Sequence, residues 1–435
     1  MQSIQNTDPE IYAAILAEQK RQSEGMELIA SENYQSPAVL EVQSSHFANK
    51  YSEGFPGRRY YGGQENTDII EQLAIDRAKS IFKSDHANVQ ALSGAAANLC
   101  VYSALMSPGD TILGMDLSHG GHLTHGAPVT FFSKIFNFQR YKTNSDGTID
   151  FDKIRSLAHE YKPKIILAGF SAYPRELDYA KFVEIANEVG AICFADVSHI
   201  GGLIAGGVLK NPFDYGFHVA MTTTHKSLRG PRGALILSKG IVSNPLKKPE
   251  DTIENIPTRI DRAVFPGMQG GPHMNTICAI ATALHEASTD EFKSYAKQTL
   301  SNAQILAQEL LSKGYKLVTG GTDNHMVVVD FSGTGLDGRI AEETLDKIGI
   351  STSKSTIPDD PNPPFKPSGL RIGMPAMTTR GIKEAETKQI VQFMDEALKL
   401  VSLMNGDQEG FENRLQDIKS QVKEFALQFP VPGIS

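Results

Sequence analysis

AICFADV at 191–197 and HVAMTTT at 218–224 are short apolar runs that end on polar residues. A strand with one wet face alternates apolar and polar side chains. A run without alternation is covered on both faces. TILGM at 111–115, KIILAGF at 164–170 and GALILS at 233–238 read the same way, and helical stretches at 152–159 and 179–189 lie between them. Continuous strands alternating with helices predict an α/β fold whose large, mainly parallel sheet of a seven-stranded type is covered by helices. Ligands of such sheets bind beyond the carboxyl ends of the strands, so the residues closing these runs are the first candidates for chemistry.

Outward from that centre the pattern changes twice. Before it, Asp8 and Pro9 within TDPE at 7–10 open a first helix toward residue 23, and Thr7 with Glu10 reads as a capping box. YSEGFPGRRYYGG at 51–63 is a glycine-rich loop with four aromatic rings, followed by helical spacing at Ile70, Leu73, Ala74, Ala78 and Ile81. After it come a long helix over 290–312, a strand MVVVDF at 326–331, a helix over 340–348, a proline-rich loop at 357–367, a strand SGLRIGM at 368–374 and two closing helices. The expected division is an N-terminal arm with helices over 1–50, a large α/β domain over 51–285 and a small C-terminal α+β domain over 286–435.

The chain has 435 residues, 40% of them hydrophobic and 21% charged, enough for a large core. Its net charge of −8 argues against a nucleic-acid or anionic-membrane surface. No apolar run reaches the roughly 20 residues of a membrane span. The opening MQSIQNTDPE has neither a basic nor an apolar leader region. Cys100, Cys193 and Cys278 are too few and too scattered for a disulfide framework or a zinc site. The expectation is a soluble, cytoplasmic protein.

Lys226 follows the run at 218–224. With threonine hydroxyls and the cations Arg229 and Arg232 around it, its amine should deprotonate readily and become a nucleophile toward carbonyls, able to form a Schiff base. Asp196 closes the run at 191–197, with His199 just beyond. It either caps the next helix or serves as the acid beside the ring nitrogen of a pyridine-type cofactor. Ser93, Gly94 and Ala95 precede a helix, where small residues let main-chain N–H groups reach a phosphate. Gly270 and Gly271 form a second turn of that kind. His119 and His122 suggest metal ligands, but no carboxylate or cysteine nearby completes a site, so no metal is expected; an imidazole packed on a flat ring is the better use. Arg371 suits a bidentate carboxylate clamp or an ordinary ion pair.

TTTHK with GPRG, YSEGFPGRRYYGG, HGGHLTHG at 119–126 and VFPGMQGGP at 264–272 together resemble the serine hydroxymethyltransferase family of fold type I pyridoxal-phosphate enzymes. The likeness runs from LIASENY at 28–34 to SGLRIGMPAMTTRG at 368–381. It implies reversible conversion of L-serine and tetrahydrofolate to glycine and 5,10-methylenetetrahydrofolate. Position by position, it implies Lys226 as the Schiff-base lysine, His225 as the histidine linked to specificity and Asp196 at the pyridinium nitrogen. His122 stacks on the ring, Ser171 and His199 lie at the ring oxygen, and Thr223 lies beside the cofactor. Ser93, Gly94 and Ala95 hold the phosphate, with Gly270 and Gly271 reaching the phosphate of a neighbouring subunit. Ser31 and Arg371 take the substrate carboxylate. Tyr51, Glu53 and Tyr61 act across a dimer interface, with Glu53 moving protons from a dry, covered site that raises its pKa. Leu117, Gly121, Leu123, Ser355, Pro363, Pro364 and Phe365 hold the folate. The partners so implied are serine, glycine and tetrahydrofolate in a homodimer with shared sites, with assembly into a tetramer left open.

Four positions depart from the family pattern. Ala95 stands where a serine is usual, which removes one hydroxyl contact to phosphate. Ser353 and Ser355 flank Lys354 where asparagines are usual, which bears on the folate contact. Met221 replaces a threonine. The Ser355 departure keeps a folate-independent relative open, such as an α-methylserine hydroxymethyltransferase or a threonine-type aldolase.

Overall fold

A computed structural model describes residues 2–403 and 407–434. The large sheet contains β1 (His86–Asn88), β2 (Thr111–Met115), β3 (Asn137–Tyr141), β4 (Ile165–Gly169), β5 (Ile192–Asp196), β6 (Val219–Thr223) and β7 (Ala234–Ser238). Their spatial order is β1-β7-β6-β5-β4-β2-β3. The pairings from β6 through β3 are parallel, and only β7 runs against its neighbours. The five apolar runs of the sequence are β2, β4, β5, β6 and β7.

Their lack of alternation has a direct cause. Leu113, Ile166, Cys193, Ala195 and Ala220 pack into the core on one face, while Ile112, Ile165, Leu167, Phe194 and Val219 pack on the other. Burying each large aliphatic side chain is worth about 1.5–3 kcal/mol, so both faces are covered. The helices that cover them are cut by short polar signals. Asp178 accepts the Lys181 N–H to begin Tyr179–Val189, and Gly190 closes it at φ 69°.

β1 and β3 have no such apolar run, and both lie at the edges. The polar side chains of β1 are buried by pairing instead: His86 Nε2 and Asn88 Nδ2 each lie 2.8 Å from Asp261 Oδ1. At the N-terminus the cap is Asp8 alone, which accepts from Ile11 N and begins Pro9–Glu24; Thr7 belongs to a separate short helix, Gln2–Thr7. The expected capping box on Thr7 therefore does not form. Within the aromatic loop Phe55 is buried edge-on to Phe265, so only Tyr51, Tyr60 and Tyr61 are exposed.

The second sheet holds β8 (Lys316–Leu317), β9 (Met326–Asp330), β10 (Ser353–Ser355) and β11 (Gly369–Gly373), antiparallel in the order β8-β9-β11-β10. Helices Asp290–Ser312, Gly338–Lys347 and Glu384–Leu403 accompany it. Met26 and Leu28 from the N-terminal stretch are part of its core. Residues leaving β11 and residues 30–34 thus meet the carboxyl ends of the large sheet.

Candidate active site

Asp196 is the last residue of β5 and is buried in a full hydrogen-bond shell. Ser198 donates to Oδ1 through its hydroxyl at 2.6 Å and its N–H at 3.1 Å. Asn98 Nδ2 and His125 Nε2 each lie 3.0 Å from Oδ2. Burial pushes this carboxyl up, but the His125 hydrogen bond and nearby imidazoles overrule it and hold the group well below the usual carboxylate range. A permanently ionised carboxylate at this depth suits a cationic partner such as a protonated ring nitrogen.

The fold supplies what sequence spacing hid. His122, paired with His119 in the sequence reading, instead groups with His125 and Asp196, the three offering ligand-type atoms within 4.8 Å of one another, so the expectation that no carboxylate lies nearby is corrected for His122. Their tautomers still oppose a metal. His125 Nδ1 accepts the His122 N–H, and His122 Nδ1 accepts the Thr124 N–H, both at 3.2 Å. Each neutral ring then carries its proton on Nε2, where a metal would need a lone pair. Burial holds His122 at about 4, so its ring is uncharged at neutral pH and fit to pack on a flat partner.

Lys226 lies in the bend after β6. Burial lowers its pKa to about 8; Asp196 opposes the shift, while Arg371 and Arg232 add to it. The expected ease of deprotonation is present and Arg232 contributes to it as expected, but burial is the largest cause, and neither the hydroxyls nor Arg229 is among the causes. Arg229 lies over the Tyr295 ring, 4.2 Å from its centroid. The hydroxyls of Thr222, Thr223 and Thr224 donate to main-chain carbonyls, not to the amine. Beside Lys226, His225 has a buried Nδ1 with no partner, and burial lowers its pKa to about 3.

Arg371 reaches from β11 across to the large sheet. Nη1 donates to the Ser171 carbonyl at 2.7 Å and Nε to Ser353 Oγ at 3.2 Å. Burial pulls its pKa down to about 10, and no carboxylate lies within ion-pair distance among the described residues. The ion-pair alternative for Arg371 therefore finds no partner among the described residues, and the cation lies part-buried without an anion beside it. Ser31 lies in the turn facing this region. Its neighbour Asn33, which sequence reasoning missed, donates to the Lys226 carbonyl at 3.1 Å and to Tyr295 Oη at 2.8 Å. His199 pairs with His325, also missed, at 3.3 Å.

Ser93 caps the helix Gly94–Leu105, and Gly94 and Ala95 open its N-terminus beside β6. A Cβ on Gly94 would stand 2.8 Å from the Thr223 methyl, so glycine keeps the approach open. Met221 lies under the same turn, with its sulfur 3.1 Å from Ser198 Oγ. A second cluster forms elsewhere. The hydroxyls of Tyr51 and Tyr61 each lie 3.3 Å from a Glu53 carboxylate oxygen. Gly270 faces Glu53 and Gly271 faces the Tyr51 ring, where a Cβ would come within 3.1 Å of it. No hydrogen bond or ion pair joins this cluster to Lys226 or Asp196 within the chain.

A family model described as serine hydroxymethyltransferase matches residues 4–394. The chain belongs to the serine hydroxymethyltransferase family. A protein named serine hydroxymethyltransferase from Desulfotalea psychrophila is 49% identical over 436 residues, covering 100% of this chain and 97% of its own length. One of the same name from Xanthomonas campestris pv. campestris is 50% identical over 395 residues, covering 91% and 92%. A third, from Halorhodospira halophila, is 47% identical over 431 residues, covering 99% of each. The chain is thus a fold type I, pyridoxal-phosphate-class transferase, and its reaction is glycine hydroxymethyl transfer. The folate-independent alternative gains no support from these relatives.

Among the positions expected from the sequence to hold folate, Leu117, Leu123 and Phe365 expose large apolar surface. Gly121 is buried against the Met115 and Asp116 carbonyls, and Pro363 and Pro364 are exposed in the loop. Ser355 donates to the Thr356 carbonyl at 3.1 Å, which ties its hydroxyl to the main chain.

Proposed function

We propose that the chain binds pyridoxal 5'-phosphate at the carboxyl ends of β5 and β6 and transfers the hydroxymethyl group of L-serine to tetrahydrofolate, as a cytoplasmic homodimer. One observation carries this reading: an amine lowered to about 8, an ionised buried carboxylate and an unpaired, part-buried guanidinium surround one site. These groups fit the cofactor and an amino acid. The orphan His225 Nδ1 and the opening kept by Gly94 fit a polar, phosphorylated guest.

When bound, the cofactor supplies an electron sink for the pair released as the Cα–Cβ bond of serine breaks. Asp196 holds a proton on the ring nitrogen, and His125, Asn98 and Ser198 hold Asp196. His122 would pack on the ring, and Ser171, His199, Thr223 and His225 would hold its polar edge. Main-chain N–H groups at Gly94 and Ala95, beside Ser93, receive the phosphate at a helix N-terminus. Lys226 offers a neutral amine as nucleophile, since part of its population is deprotonated near pH 8. Arg371 and Ser31 take the substrate carboxylate and so fix which Cα bond stands across the ring. Glu53, with Tyr51 and Tyr61, moves the proton at the hydroxymethyl oxygen. It does so in the neighbouring subunit's site, completed by Gly270 and Gly271. Leu117, Gly121, Leu123, Ser355 and the segment Pro363-Pro364-Phe365 receive the folate and keep water out.

The exposed rings of Tyr51 and Tyr61 support the dimer, being large apolar groups that a partner surface would cover. The free Cys100, Cys193 and Cys278 support a reducing compartment. The test is glycine formation from serine with and without tetrahydrofolate, in the wild type and in Lys226→Ala. Folate-dependent turnover that Lys226→Ala abolishes is expected. Equal turnover without folate, or full activity in Lys226→Ala, would overturn the reading.

A further inference from the structure

Asn33 lies two residues after Ser31, in the stretch that runs from that turn to the helix Pro37–Gln43. Its amide is fully engaged, and only one orientation fits. Nδ2 donates to the Lys226 carbonyl at 3.1 Å and to Tyr295 Oη at 2.8 Å. Oδ1 accepts the Tyr34 N–H at 2.9 Å and the Thr379 hydroxyl at 2.7 Å. A main-chain N–H can only donate and a main-chain carbonyl can only accept, so the Tyr34 and Lys226 contacts fix which end of the amide is which. The other protons follow: Thr379 donates to Asn33, and Tyr295 accepts from it and gives its own proton to the Ser227 carbonyl at 3.1 Å. Asn33 and Tyr295 thus hold the consecutive carbonyls of Lys226 and Ser227. Gln35 holds the far end of the same bend, through Nε2 to the Gly230 carbonyl at 3.1 Å. Thr379 ends the short helix Pro375–Thr379, which follows the strand of Arg371.

We propose that Asn33 is a positioning residue. Through one amide it fixes the main chain of Lys226 relative to Ser31 and to the segment that follows Arg371, and so sets the spacing between the nucleophilic amine and the substrate-carboxylate subsite. The amine itself hangs on four flexible methylenes. The peptide from which it hangs decides where it can reach, so a residue that holds that peptide acts on the chemistry without touching substrate or cofactor. Such geometry tolerates little error, since a misplacement of about 1 Å can cost on the order of a hundredfold in rate. Lys226 stands on one side of the link, and Ser31 and Arg371 on the other. Slack in it is therefore felt as slower linkage of Lys226 to the cofactor and weaker amino-acid binding, and not as weaker folate binding.

This inference rests on the cofactor reading above, and the two fail differently. Asn33→Asp keeps the shape and both accepted bonds but loses both donors. It should slow formation of the borohydride-reducible bond between Lys226 and added pyridoxal phosphate about tenfold, and raise the glycine dissociation constant and the KM for serine by a similar factor. The KM for tetrahydrofolate should stay unchanged. Thr379→Val lacks the hydroxyl donor and should give the same pattern at about threefold. Thr379→Ser keeps the donor and should match wild type. In an Asn33→Ala background Thr379→Val should add nothing, because its effect passes through the amide. A wild-type linkage rate in Asn33→Asp, an equal rise in both KM values, equal loss in Thr379→Val and Thr379→Ser, or additive effects in the double variant would each overturn the proposal. Melting of the cofactor-free variants separates these effects from misfolding, and the Thr379 pair decides if the Asn33 variants do not fold. A wild-type protein that forms no reducible bond at Lys226 would sink the cofactor reading and this inference with it, whereas the other adverse outcomes leave that reading standing.

Discussion

Lys226 carries a measurable stability signature because burial lowers its pKa to about 8 from an ordinary 10.5. In the cofactor-free protein the unfolded chain binds the extra proton between those values. Stability should therefore rise with pH from about 8 to 10.5, by about 3 kcal/mol at most. Below pH 8 the penalty of burying the charge is fully present. Other lysines and tyrosines titrate in that window, so the quantity to measure is the difference between wild type and Lys226→Met in urea unfolding. Parallel curves for the two proteins would contradict the burial of the amine. Arg371→Lys should raise KM for serine about a hundredfold while cofactor affinity stays within a few-fold, because lysine loses the planar pair of donors that matches a carboxylate. Serine titrations at saturating cofactor and folate check this. Lys226, Asp196 and Arg371 were legible because each lies on or just after an apolar run. Asn98, His125 and His325 were not. Their partners lie 98, 71 and 126 residues away, and neither helix nor strand periodicity encodes such meetings.

At the scale of elements, the proposed phosphate site is the meeting of a helix start with a strand end. Gly94→Ala should weaken cofactor binding by about tenfold or more, because the new Cβ meets the Thr223 methyl at 2.8 Å and neither main chain can retreat without loss. Thr223→Ser removes that methyl and keeps the hydroxyl that donates to Ser198 O. It should rescue Gly94→Ala in equilibrium dialysis with pyridoxal phosphate. Failure of the double variant to recover would show that glycine is needed for another reason. The interior strands were readable as unbroken apolar runs. β1 and β3 were not: β1 is a short strand whose polar side chains are buried by pairing with Asp261, and NFQRY at 137–141, on a half-wet edge, has no run to read. The same logic explains the missed carboxylate of the His122–His125 group: Asp196 comes from another strand end, and only the order of strands in the sheet brings it close.

At the scale of the molecule, no hydrogen bond or ion pair among the described residues joins the Glu53 cluster to Lys226 or Asp196, and a dimer would complete the site. Mixing Lys226→Ala with Glu53→Gln, each inactive alone, should therefore restore activity as subunits exchange. In a random mixture half the dimers are mixed, and each mixed dimer has one intact site, so recovery should approach about a quarter of wild type. No recovery after exchange, confirmed by sedimentation of tagged mixtures, would place Glu53 in its own subunit's site. The net charge of −8 fits this arrangement, in which small anionic and zwitterionic ligands reach buried cations and no polyanion is held at the surface. The central claim remains the amine at the end of β6. Borohydride reduction of the holoenzyme followed by peptide mass mapping tests it most directly. The account predicts a single phosphopyridoxyl adduct, on Lys226; an adduct on another lysine, or none, would contradict it.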